Sequence, residues 1–281
     1  MIYLFTEFYN KAKEKTNMKD LKLPLPVKRE LKRVSKVAGY LWNREWAERN
    51  AGNVSLNLTS FFKKEEVQGR GEFIPFDLPK EVAGYVIFIT GTGSYLRSLI
   101  DEIEESACII YINEEATGYH IIWGGKPEGF RPTSELISHI KIHHFNSIHK
   151  PDHIAILHTH PIELIVISHH QLFQDEEKLN HSLWKMCPEV RVFTPKGVHC
   201  TPYALSGTEA LADVTIEGLK TRDVILWEKH GALSTGTNMD TAFDLLDVSN
   251  KGAKLLLSCW SAGFEPEGLT DSELKELEQF I

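Results

Sequence analysis

The 281-residue chain predicts an α/β fold of the mixed, α+β kind: a single three-layer domain whose central mixed, mostly antiparallel β-sheet is flanked by helices. Three observations carry that expectation. Short apolar runs of strand length recur along the chain, punctuated by Gly, Pro and Asn. Segments with helical spacing follow strands without strict one-for-one alternation, which disfavours a purely parallel βαβ sheet. The hydrophobic content is 42%, ordinary for a globular protein, and a chain of this length can bury a core without staples.

The elements follow in order. Residues 1–25 read as an extension, with Lys-rich polar stretches closing on Leu23-Pro24-Leu25-Pro26, and residues 26–281 as one domain. Val27, Leu31, Val34, Ala38, Leu41 and Trp42 recur at helical spacing behind Pro26, predicting a helix to about Arg49 that stops at Asn50-Ala51-Gly52-Asn53. Val54–Leu58 alternates like a half-buried strand, and residues 60–80 read as loop. Strands are expected at Tyr85–Thr90, Ala107–Asn113 and Gly118–Gly124, the first ending in Gly91-Thr92-Gly93-Ser94. Pro132-Thr133-Ser134-Glu135 opens a helix to about His149, with Thr133 or Ser134 as N-cap and Glu135 in the first turn. His153–His158 is a buried strand leading to His160-Pro161 and a further helix. Val190–Thr194, Val198–Thr201 and Val224–Trp227 read as strands, and Asp240–Trp260 as a long helix. Thr270-Asp271-Ser272-Glu273 is a capping box for a last short helix. No repeat, low-complexity tract or interdomain linker interrupts this order.

Charge and cysteine content narrow the function. Lys plus Arg number 31 against 39 Asp plus Glu, a net charge of −8, which argues against nucleic acid or an anionic membrane as partner. An anionic substrate must then be caught by a local cluster of donors. Cys108, Cys187, Cys200 and Cys259 form no C-x-x-C and no disulfide framework, and read as reduced thiols. No secretory leader or membrane-length apolar run is visible, so the expectation is a cytoplasmic, soluble protein.

Thirteen histidines make some close pairs inevitable. His143-His144 and His169-His170 are adjacent, point in different directions, and read as surface or helix positions without a ligand role. His158-Thr159-His160 differs, because residues two apart on extended backbone share a face and both imidazoles can meet one ion. Alone, H-x-H fits two partly exposed histidines at a strand end equally well. His230 is a third candidate, placed just past an apolar strand with Gly231 allowing a tight turn beside it. Three imidazoles with an open fourth position describe a catalytic zinc, since no Cys is placed to close the site. Asn50–Asn53, Gly91–Ser94 and Pro132–Glu135 each offer amide, hydroxyl or backbone N–H donors of the kind that bind phosphate. Each would be only a turn by itself; with a metal, they suggest phosphate at one end of a substrate and a carbonyl at the other.

Asn50-Ala51-Gly52-Asn53-Val54-Ser55, Thr90-Gly91-Thr92-Gly93, Ser134-Glu135, His158-Thr159-His160-Pro161 and Lys229-His230-Gly231 occur in the order of the class II aldolase and adducin-like family, which the chain resembles from about residue 30 to 260. Trp46–Asn50, Gly118–Gly124 and Pro132–Leu136 are similar to its rhamnulose-1-phosphate aldolase branch. The resemblance implies metal ligands at His158, His160 and His230, holding one Zn2+ per subunit. It implies phosphate contacts at Asn50, Asn53, Thr92, Thr133 and Ser134, and a catalytic carboxylate at Glu135. Thr92 stands where the family pattern has Ser and keeps the hydroxyl. A second acidic residue, offered across a subunit boundary, matches Glu189, although the residues around it depart from the pattern. The implied activity is reversible cleavage of L-rhamnulose 1-phosphate, a small phosphorylated ketose, to dihydroxyacetone phosphate and L-lactaldehyde, through an enediolate. The implied assembly is a homotetramer with sites between neighbours. Three alternatives stand beside it: a sibling such as L-fuculose-phosphate aldolase or a pentulose-phosphate 4-epimerase, a metal-free adducin-like binding module, and a purely structural zinc. The epimerases usually carry Asp at the place of Glu135, the module would not need all three histidines, and a structural zinc would need a fourth fixed ligand.

Overall fold

The computed structural model of the chain describes residues 21–281, so residues 1–20 of the expected extension lie outside the described residues. The helices are α1 (Leu25–Asn43), α2 (Lys64–Val67), α3 (Ile103–Ser106), α4 (Leu136–His149), α5 (Ile162–Ile167), α6 (Glu176–Trp184), α7 (Pro188–Phe193), α8 (Glu209–Leu219), α9 (Met239–Ser261) and α10 (Asp271–Glu276). The strands are β1 (Asn53–Asn57), β2 (Glu72–Pro75), β3 (Val86–Thr90), β4 (Ala107–Ile112), β5 (Gly118–Gly124), β6 (Ala155–Thr159), β7 (Val198–Thr201), β8 (Val224–Trp227) and β9 (Gly231–Gly236).

The strands make one sheet in the order β2-β5-β4-β3-β1-β6-β9-β8-β7. Only the β7–β8 pair is parallel, so the expected mixed, mostly antiparallel sheet is what forms. Because successive side chains on a strand point to opposite faces, β1 sends Val54 and Leu56 one way and Asn53, Ser55 and Asn57 the other. Val54 and Leu56 join the large core beneath α1, α5, α6 and α9. On the opposite face, α4 and α8 cover two separate apolar clusters. One is built on Ile87, Ile89, Ile110 and Ile140, the other on Ile142, Ile156, Ile225 and Leu233. Between these clusters lies the polar row of β1. The three layers are therefore helices, sheet, helices.

Several elements differ from expectation for identifiable reasons. The first helix stops at Asn43 rather than near Arg49. Glu45 and Arg49 adopt positive φ (62° and 48°), and Trp46 N–H turns back to the Leu41 carbonyl. Val190–Thr194 is not a strand. Pro188 stands at the first helical position of α7 and only Val190 of that helix is buried, so the β-branched run folds as a short surface helix. Within residues 60–80, Glu72–Pro75 forms an edge strand on β5, where Pro is tolerated. The small residues of β9 are buried throughout and leave no alternating pattern to read. Ser55 is not on a solvated face but fully covered by α4. Of the two places expected for His143, surface or helix, it takes the helix, buried on the inner side of α4. The capping box at Thr270 and Glu273 is present as read. Among the described residues no helix is long and apolar enough to cross a membrane.

Candidate metal centre and active site

Register brings the site together at one end of the central strands. Asn53 pairs with His158 across β1 and β6, Thr159 pairs with Ala232 across β6 and β9, and Trp227 pairs with Gly231 across the turn that carries His230. The loop after α1 anchors this end, because the Trp46 carbonyl accepts from both the Thr159 hydroxyl and the His160 N–H. In the β8–β9 turn, Lys229 takes a positive φ of 57° and its N–H donates to the Ser168 hydroxyl. Gly231 matters here for closeness rather than for an unusual φ. A Cβ on it would lie 2.6 Å from the Thr159 carbonyl oxygen and about 3 Å from the rings of His160 and His158.

His158, His160 and His230 offer one nitrogen each within 4.8 Å of one another, a spacing that suits a single first-row cation. The other ring nitrogens show how two of them are aimed. His158 Nδ1 donates to the Ala232 carbonyl at 3.0 Å, and His160 Nδ1 faces the Glu48 carboxylate at 2.8 Å. Both therefore turn Nε2 toward the common point, the arrangement in which an outer partner fixes tautomer and ring orientation. The Ser206 hydroxyl lies 3.4 and 3.5 Å from the two nitrogens of His230, too far to fix that ring as firmly. Burial pushes the His158 imidazole well below its ordinary range, with the neighbouring histidines adding to the effect. The same causes push His230 down to about 4. Neutral imidazoles are the ligating form, so the donor set fits a divalent metal.

A cleft of about 180 Å3 opens beside the triad. It is lined by Asn50, Asn53, Thr92, Thr133, Ser134 and Glu135 together with the three histidines, and by the backbone of Gly52, Gly91 and Gly93. A bridge between Gly91 and Pro132 holds the Thr92 loop against the segment that carries Thr133. Among the described residues no Lys or Arg lines this cleft, so an anion there meets neutral hydroxyls, amides and backbone N–H groups of these residues. Glu135 is the N-cap residue of α4 rather than a first-turn residue, and its side chain does not cap the helix. Instead Glu135 Oε2 accepts from Asn53 Nδ2 at 2.9 Å, while the same amide lies 3.4 Å from the Thr133 hydroxyl. Burial pushes the Glu135 carboxyl up, opposed by the Asn53 hydrogen bond and by His160.

All the sequence-derived site residues except Glu189 thus line one cleft. Glu189 sits at the exposed start of α7, 3.6 Å from Lys251 Nζ and outside the cleft of its own chain. Its carboxyl is held below its ordinary range by its own backbone N–H, Cys187 and Lys251. Sequence reasoning missed Glu48, Ser206 and the buried His139. For Glu48 the only signal was its place one residue before Arg49-Asn50; Ser206 lies in a Gly/Ser loop with no pattern at all.

Residues 32–257 match the family model described as the class II aldolase and adducin N-terminal domain. The chain is 36% identical over 257 residues to the rhamnulose-1-phosphate aldolase of Bacteroides thetaiotaomicron, covering 89% of this chain and 93% of that protein. It is 33% identical over 254 residues to the rhamnulose-1-phosphate aldolase of Listeria welshimeri, covering 88% and 90%. A sugar-phosphate aldolase from Thermotoga maritima superposes with a TM-score of 0.73 at 29% identity, over 86% of this chain and 99% of the other.

Proposed function

The chain belongs to the class II aldolase and adducin family, and from that premise we propose that it reversibly cleaves L-rhamnulose 1-phosphate to dihydroxyacetone phosphate and L-lactaldehyde. The observation that supports this reading best is the meeting, in one cleft, of the His158–His160–His230 triad, a buried Glu135 and a rim of neutral phosphate donors. Identity of 36% and 33% to two rhamnulose-1-phosphate aldolases supports this choice of substrate among phosphorylated sugars.

In this reading His158, His160 and His230 hold one zinc ion per subunit. When bound, the cation supplies positive charge that stabilises oxyanion character on the substrate, as metal-ion catalysis requires. Asn50, Asn53, Thr92, Thr133 and Ser134 hold the phosphate, with the Gly52 and Gly93 turns presenting backbone N–H groups (φ 77° and 70°). Orientation by these donors places the reacting carbons against Glu135. In cleavage Glu189 of a neighbouring copy takes the proton of the hydroxyl beyond the scissile bond, and Glu135 draws the proton it later gives from solvent, so one proton leaves the substrate and one is returned. The carbon–carbon bond breaks and its electron pair passes toward the ketose carbonyl, giving the enediolate. Glu135 returns a proton to the carbon that held the bond, and in condensation takes that proton away. Burial that raises the Glu135 carboxyl serves both directions, because it makes the proton easier to hold and still possible to give. Among the described residues no lysine lines the cleft to form a Schiff base. Glu189, which lies outside its own cleft, serves the leaving aldehyde oxygen in the site of a neighbouring copy within a homotetramer.

The test is condensation of dihydroxyacetone phosphate with L-lactaldehyde by the zinc-loaded protein, with the product identified by its stereochemistry. The expected product is L-rhamnulose 1-phosphate. A predominance of L-fuculose 1-phosphate would move the chain to a sibling activity, and absence of any condensation product would remove the aldolase reading.

A further inference from the structure

Behind the cleft a single file of polar side chains runs through the otherwise apolar layer between β1 and α4. Asn53 and Ser55 project from one face of β1; Glu135 precedes α4, and His139 and His143 follow at one-turn intervals on its inner side. The contacts are continuous. Glu135 Oε2 meets Asn53 Nδ2, Asn53 Oδ1 meets His139 Nε2, and Ser55 Oγ lies 2.7 Å from His139 Nδ1 and 2.8 Å from His143 Nε2. Each of the five groups is at most 7% exposed. The file separates the two apolar clusters on that sheet face, where aliphatic side chains would fill the same space.

Donor and acceptor roles along the file are not free. An ionised Glu135 only accepts, so the Asn53 NH2 must face it and Asn53 Oδ1 must face His139. That oxygen only accepts, so His139 carries its proton on Nε2. Burial pushes the His139 imidazole down to about 3, which leaves it neutral, so Nδ1 is a bare lone pair that takes the Ser55 proton. Ser55 Oγ in turn accepts from His143 Nε2–H. Among the described residues His143 Nδ1 has no hydrogen-bond partner and ends the file, and His143 forms part of the wall of a second cavity of about 270 Å3 near the C-terminal half of α4.

We propose that His139, backed by Ser55 and His143, is a positioning residue that locks the Asn53 amide in the orientation that presents its NH2 to Glu135 and the cleft. The amide is held at both ends, its NH2 by Glu135 and its carbonyl oxygen by His139, and loss of the His139 donor would leave that oxygen buried without its partner and the orientation resting on Glu135 alone. A flipped Asn53 would set its carbonyl oxygen against the Glu135 carboxylate and against an incoming phosphate, both of which are repelled by it. His139 does not line the cleft, and its hydrogen-bonded route to the cleft runs through Asn53.

The first arm of the test is independent of any reaction. Long-range 1H–15N correlation of 15N-histidine-labelled, zinc-loaded protein should show His139 with its proton on Nε2 and a bare Nδ1, the signal being assigned by its loss in His139→Gln. A proton on Nδ1 would overturn the proposal. The second arm rests on the aldolase reading. His139→Leu should keep its zinc but lose about tenfold to a hundredfold in kcat, the scale of a misplaced reacting group, whereas His139→Gln, whose amide can still donate to Asn53, should recover most of it. Equal losses in both variants would mean simple packing and would also overturn it. A wild-type protein that fails to condense the two substrates would instead count against the aldolase reading, with the tautomer still deciding the role of His139.

Discussion

In the proposed function a cation and a proton are handled by different side chains of this cleft, and single substitutions would separate the two tasks. His160 is aimed by Glu48 at the triad's common point, so His160→Ala removes one of three ligands and should abolish zinc binding and turnover together. Glu135 is not among the triad; it is held by Asn53. Glu135→Gln preserves the shape and the hydrogen bond to the amide but cannot take a proton. It should retain stoichiometric zinc by metal analysis while kcat falls by roughly 10²–10⁴, the usual contribution of a general acid–base group. Normal turnover in Glu135→Gln would remove Glu135 from the chemistry. The triad was legible in the sequence because His158, His160 and His230 each stand where an apolar strand runs out. His139 was not, since a histidine in mid-helix carries no mark of what it faces. Its partners Asn53 and Ser55 lie more than eighty positions away, and only the fold supplies that adjacency.

At the scale of elements, strands with a strong inside–outside alternation or a dense apolar run were readable, as at β3, β4, β5 and β8. Those whose residues are small and buried on both faces, such as β9, were not. A local rule also misled at Val190–Thr194, where β-branched residues lost to a Pro-initiated helix lying on the surface. The cleft depends on how closely β9 approaches β6. Gly231→Ala would thrust a methyl group to within 2.6 Å of the Thr159 carbonyl and about 3 Å of two ligand rings. Backbone cannot yield there without opening the pairing of β6 and β9 that aligns the triad. The expected cost is about 1–3 kcal/mol of stability, as for other overpacked sites, read from denaturant unfolding of the metal-free protein. A weaker zinc affinity should accompany it, read from competitive titration with a chelator. Unchanged values for both would show that β9 can retreat without disturbing the triad.

Across the whole molecule, the buried file makes folding a proton-linked event. His139 is pushed down to about 3 and His143 well below its ordinary range, burial being the main cause for each. In the unfolded chain both titrate near the usual histidine value of about 6.5. Between these limits the unfolded state therefore binds more protons than the native one, and the sign of the linkage makes stability rise with pH. The contribution is complete above about pH 6.5 and is progressively lost as pH falls toward 3, at a limiting slope of about 1.4 kcal/mol per pH unit for each histidine. Carboxylates with raised or lowered values overlap this window, Glu135 and Asp223 among them, so the wild-type slope alone would not isolate the effect. His143→Gln does isolate it. The amide can still donate to Ser55 but does not titrate, and every carboxylate term is common to both proteins. Urea unfolding of the metal-free wild type and variant from pH 7 to pH 5 should give lines that converge as pH falls. Their slopes should differ by about 1.4 kcal/mol per unit at the acid end, with the variant the flatter. Parallel lines would mean that His143 takes up a proton inside the fold, and that the file has a route for charge that its burial is expected to forbid.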